Sequence, residues 1–208
     1  MTTRREFLQA GIAASAIPIG AAAFKSAASR VPKVSAVSAS PDAAVSFYKV
    51  VFDERFSDSV AFAAEMKRLG AAVHGISGDM TDLWYRDLHP RWQETPVAIA
   101  GMTAHGALFC LERLAWDHRM RVVFRAEHRY GMDACVEHVV SAPDTTLRDA
   151  AGLGDAGSNW SVVVARLVNR CSQSGEQAAH TVITRLAQPA PADQEPLFSW
   201  VIAPIVRA

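Results

Sequence analysis

Apolar positions along this chain recur in two periods, and the switch between them repeats from residue 46 to residue 125. Ser46–Phe52 is rich in β-branched and aromatic residues and ends at Asp53-Glu54-Arg55, which reads as a strand and its exit turn. Val60, Phe62, Ala63, Met66 and Leu69 then recur at helical spacing between a cap at Ser57 or Asp58 and Gly70. Ala71–Ile76 predicts a second strand with Ser77–Thr81 as its turn. Leu83, Trp84, Leu88 and Trp92 predict a short helix broken at Pro90. Val97–Ala100 predicts a third strand that ends in a polar turn at Gly101. Thr103–His118 predicts a helix with Leu108, Leu111, Leu114 and Ala115 on one face, and Arg121–Arg125 begins a fourth strand. Four strands alternating with three helices predict an α/β fold, a three-layer and mainly parallel sheet with helices on both faces.

Beyond Tyr130 the periodicity weakens. Val136–Val140 reads as a strand, 143–158 as turn-rich chain, and Trp160–Val168 as a helix capped by Ser158 or Asn159. Thr181–Leu186 and Leu197–Ile202 read as closing strands around the Pro/Ala-rich stretch 188–196, and their succession predicts an antiparallel hairpin at the sheet edge. No internal repeat is present.

Composition narrows the function. The 208 residues are half apolar with a formal net charge of zero, enough for the core of one domain over 46–208. No long basic run is present, which argues against nucleic acid as a partner. Cys110, Cys135 and Cys171 are widely spaced and allow at most one internal bridge.

The N-terminus changes the picture most. Thr3–Gln9 reads Thr-Arg-Arg-Glu-Phe-Leu-Gln and precedes a weakly apolar, Ala/Gly-rich run from Ala10 to Phe24 interrupted by Pro18. This resembles a twin-arginine signal peptide, whose pattern is Ser/Thr-Arg-Arg-x-Phe-Leu-Lys: Arg4, Arg5, Phe7 and Leu8 match, and Gln9 replaces the lysine. The run is too short and too poor in large apolar residues for a membrane span. Small-x-small cleavage sites stand at Ala21-Ala22-Ala23 and Val37-Ser38-Ala39, and cutting after Ala23 leaves 19 basic and 20 acidic residues. The resemblance covers residues 1–39, signal peptide and tether. It implies passage through the twin-arginine translocase after folding, a periplasmic or otherwise exported address, and no stable transmembrane segment after cleavage. Passengers of this pathway are often cofactor-bearing enzymes or small subunits exported with such a partner, so a larger redox subunit is an implied partner. No cofactor is indicated for this chain itself.

The candidate chemistry lies at the strand exits. A parallel sheet would bring Asp53, Asp79, His105 and His128 to one edge, and carboxylates with imidazoles in a cleft are the materials of general acid/base catalysis. The plainer reading makes Asp79 and Thr103 helix caps and Asp53 a turn residue. Gly101, Thr103 and Gly106 surround a helix start, where open backbone amides favour a phosphate or carboxylate. They lack both the Gly-x-Gly-x-x-Gly and the Gly-Lys-Ser/Thr spacings. His128, Cys135 and His138, with Met132 between them, are weak candidates for a copper or zinc site, set against a buried thiol with surface imidazoles. No Gly-x-Ser-x-Gly elbow is present, and Cys110 falls within a helix. Two readings follow: a ligand-binding or accessory subunit co-exported with a periplasmic oxidoreductase, or a free periplasmic acid/base enzyme acting on a small polar substrate.

Overall fold

A computed structural model describes residues 46–131, 135–171, 180–187 and 195–205. The export segment, its tether, Met132 and most of the 188–196 stretch lie outside these residues. The β-branched run forms β1 (Lys49–Asp53), followed by α1 (Ser57–Arg68) and β2 (Val73–Ile76). Gly70 ends α1 with φ +94°; its N–H donates to the Lys67 carbonyl and that of Ala71 to the Met66 carbonyl, the paired bonds of a glycine C-terminal cap. The cap expected at Ser57 or Asp58 is absent, because Phe56 holds that position without a side-chain bond.

The segment before β3 is one helical run rather than a helix broken at Pro90. It comprises α2 (Thr81–Leu83), a π turn (Trp84–Leu88) and α3 (His89–Glu94). Pro90 falls in the first turn of α3, where a missing N–H is tolerated. The chain continues through β3 (Ile99–Ala104), α4 (His105–Asp117), β4 (Met120–Gly131), β5 (Cys135–Ala142), α5 (Asp144–Ala150), two 3₁₀ turns, α6 (Trp160–Arg170), β6 (His180–Ala187) and β7 (Leu197–Pro204).

All seven strands join one mixed sheet in the order β2-β1-β3-β7-β4-β5-β6. β1 is parallel to β2 and β3, and the other neighbours are antiparallel, so only β5 and β7 run against the rest. The α/β class expected from the sequence is the class observed. The edge hairpin is not: β6 pairs with β5 at the edge, while β7 inserts between β3 and β4 at the centre. β7 is buried on both faces (Leu197, Val201 and Ala203 on one; Phe198, Trp200 and Ile202 on the other), as an interior strand must be.

Those faces are two separate cores. Val50, Ala100 and Met102 pack under Phe62 and Met66 of α1 and Trp160, Val164 and Val168 of α6. Val51 and Ile99 pack under Trp84, Leu88 and Trp92 and under Leu108 and Leu111 of α4. Glu65, almost wholly buried, joins α1 to α6 by accepting bonds from Arg68 (2.7 Å) and Arg166 (2.8 Å), which draw its carboxyl down to about 2. Past α4, the outer face of β4–β6 is largely polar, with Ile183 exposed on it. Glu127, Arg129, Glu137 and Arg185 form ion pairs of 2.7, 3.6 and 2.9 Å there, and the alternation along β5 is that of a strand with one solvated face.

Candidate functional site

β1, β2 and β3 end at the same edge, so Asp53, the turn after Ile76 and the start of α4 are neighbours, as the parallel reading requires. Asp53, however, is fully buried. Its carboxylate accepts the Arg55 guanidinium as a fork, at 2.9 and 2.7 Å, and the Arg55 backbone N–H at 3.2 Å. Its own N–H donates to Ser59 Oγ, which in turn donates to the Met102 carbonyl at 2.6 Å, lashing α1 to β3. Asp53 is therefore a structural tie and does not reach a cleft. The Arg55 guanidinium lies over Gly78, where a Cβ would stand 2.8 Å from Cζ and φ is +85°; only glycine suits both conditions.

Beside Gly78 opens a cleft of about 440 Å³ between the α2–π turn and α4. Asp79, Thr81, Trp84 and Tyr85 line one wall; Gly106, Cys110 and Leu114 line the other. Asp79 Oδ1 accepts the Thr81 N–H at 2.8 Å, and hydrogen bonding from Thr81 holds its carboxyl below the usual range. Trp84 is nearly buried and fixed edge-on against Trp92 at 5.7 Å, while Trp92 donates from Nε1 to the Val97 carbonyl. Tyr85, 69% exposed, forms the lip. Sequence reasoning found Asp79 and Gly106 but passed over Tyr85, Cys110 and Leu114 as cleft residues. Their signal was the i, i+4 spacing of Gly106, Cys110 and Leu114 along one helix flank.

The anion turn read at Gly101–Gly106 is corrected by the strand. β3 runs through Ala104, and α4 begins only at His105. Gly101 lies inside the sheet, where a Cβ would stand 2.5 Å from both the Val51 carbonyl oxygen and Trp200 Cζ2. Thr103 is fully buried, and its Oγ1 accepts the Trp200 indole N–H at 3.2 Å. Of the three residues only Gly106 lines the cleft. His105 is exposed at the start of α4 with its ring against Phe198 (5.2 Å) and Phe109 (6.0 Å), outside the cleft lining.

His128 is in the other core. It stands opposite His138 on the β4–β5 ladder; both are fully buried, with their Nδ1 atoms 2.8 Å apart, so one must donate and the other accept. His128 Nε2 bonds Ser199 Oγ at 2.9 Å, and Trp160 packs against both rings at 4.5 and 5.0 Å. Burial pushes both imidazoles down, His138 to about 4 and His128 well below the usual range, where repulsion from His138 acts in the same direction. His128 therefore takes no part at the sheet edge. Cys135 alternates onto the opposite face from His138, so the proposed ligand trio does not assemble. No group of three or more His, Cys, Asp or Glu side chains among the described residues is placed to hold a metal. Nor is any cysteine in a disulfide among them.

No protein-family model matches the chain, and no curated protein or solved structure matches it either. Among the described residues no helix is long and apolar enough to cross a membrane.

Proposed function

We propose that this chain is an exported ligand-binding or accessory protein, carried with a periplasmic cofactor-containing oxidoreductase, and that it holds a small molecule in the cleft between the α2–π turn and α4. The observation that carries this reading is the separation of the titratable groups. Asp53 is occupied by Arg55 and His128 is sealed in a core, which leaves Asp79 as the single charged side chain among the described residues that line the cleft. Beside Asp79 the described lining residues offer no second carboxylate and no imidazole, only the Tyr85 phenol, the Cys110 thiol and the Thr81 hydroxyl, a set poorer in acid/base groups than the sheet-edge cluster would have been. A preformed apolar wall with one fixed polar group is the common form of a binding site. The accessory part of the reading draws on the Arg4-Arg5 segment and on Phe109 and Trp116. These two side chains are 47% and 43% exposed on α4, with Arg113 stacked over both, and aromatic and arginine side chains are the ones that dominate partner surfaces.

The test is native mass spectrometry of the protein purified gently from the periplasm of its own host. The expected spectrum shows the cleaved chain with an added subunit or small molecule. A bare monomer at the cleaved mass would overturn the subunit reading, and recovery of the uncut chain in the cytoplasm would overturn export.

A further inference from the structure

We infer that the ligand of the cleft is an organic cation, a small ammonium-bearing molecule whose charge meets Asp79 and whose carbon groups meet Trp84 and Tyr85. This rests on the reading of the cleft as a ligand site and adds the class of ligand. The charges around the cleft decide it. Arg55, whose guanidinium lies against Gly78 on the β1 side, is paired with the buried carboxylate of Asp53. On the other side Arg86 pairs with Asp82 at 3.4 Å. Asp79 has no cationic partner among the described residues and bonds only to Thr81, so one full negative charge remains unmatched at the wall. The open amides at the start of α4 offset at most about half a charge. Asp79 is exposed and solvated, so its charge disfavours an anion and offers an ammonium group a direct contact that a neutral ligand lacks.

The rest of the wall suits the carbon part of such a ligand. Trp84 is held in place by Trp92 and by His89, whose ring is 5.1 Å away, so the aromatic surface exists before the ligand arrives. Indole and phenol rings attract alkylammonium groups through their electron-rich faces, and a carboxylate beside them adds a direct charge contact. Leu114 and Ala107 close the far side without a competing charge.

The experiment uses three probes of one shape: choline, the uncharged 3,3-dimethylbutan-1-ol, and the anion 3,3-dimethylbutanoate. Each is titrated into the mature protein and followed by amide and indole NMR shifts. The expected result is a shift at Gly78, Gly106 and the Trp84 indole, with choline bound about tenfold more tightly than the alcohol and the carboxylate weakest. Asp79→Asn keeps an oxygen for the Thr81 N–H, so it should fold, and it should remove the preference for choline. If the alcohol or the carboxylate binds as well as choline, or if Asp79→Asn keeps the preference, the cation assignment is wrong while the cleft remains a site. If no probe shifts the cleft residues, the ligand-site reading fails and this inference fails with it.

Discussion

Acidification from about pH 7 to pH 5 is expected to remove about 2 kcal/mol of folding stability through His138 alone, with His128 adding in the same direction, a large share of what a domain of this size possesses. The source is the neutral pair His128 and His138. Both are lowered in the folded chain and ordinary in the unfolded one, so between 6.5 and about 4, the value reached by His138, the unfolded chain binds more protons. Stability is then complete above 6.5 and falls as pH drops, by about 1.4 kcal/mol per pH unit for each imidazole. His74, lowered by partial burial, adds in the same sense. Asp58, raised by burial despite the hydrogen bond from Tyr130, opposes it. Glu65, drawn down to about 2, adds its own loss only below its ordinary 4.5. Urea unfolding across this range measures the slope. A midpoint that does not move would mean that the pair is protonated or hydrated in the folded protein, and His138→Gln should roughly halve the slope if the pair is its source.

The second large effect separates two glycines that look alike in sequence. Gly101→Ala should cost about 3 kcal/mol or more, because the new methyl would lie 2.5 Å from a backbone carbonyl and from the Trp200 ring, and a sheet centre cannot shift to receive it. Gly106→Ala meets nothing within 4 Å and lies in the first turn of α4, so it should be neutral or stabilising by up to about 1 kcal/mol. Thermal unfolding of the two variants beside the parent decides the matter; equal effects would refute the placement of β3. Trp200→Phe in the Gly101→Ala background should recover part of the loss, since a smaller ring relieves one of the two clashes.

These glycines also show what the sequence could and could not convey. The first three segments after residue 46, β1, α1 and β2, were legible because apolar period and glycine punctuation agree there; α1 with Gly70 is the clearest case. Gly101 misled because a glycine after a short apolar run signals a turn. Here it marks a close approach between β3 and its neighbours, a fact about strands distant in sequence. The same limit explains the C-terminal hairpin. Adjacency in sequence favours pairing of β6 with β7, and only the burial of β7 on both faces, visible as the apolar run Leu197–Ala203 interrupted by Ser199 alone, hinted at a central place. For the site, Asp79 could be named from its position after β2, whereas Asp53 and His128 needed the third dimension. Arg55 two residues on claims the first, and the partner of the second, Ser199, is 71 residues away. The cleft itself was illegible because it is made by one flank of α4 facing a helical run in which Pro90 signals a break.

The central place of β7 orders events during biosynthesis. Until Leu197–Pro204 has left the ribosome, β3 and β4 each present a row of unpaired backbone groups, and both cores lack one of their strands. The two halves of the sheet therefore wait on β7, and closure depends on contacts between distant parts of the chain, which form slowly. Without Leu197–Pro204 the two halves of the sheet have no strand to join them, so both cores close on the same eight residues.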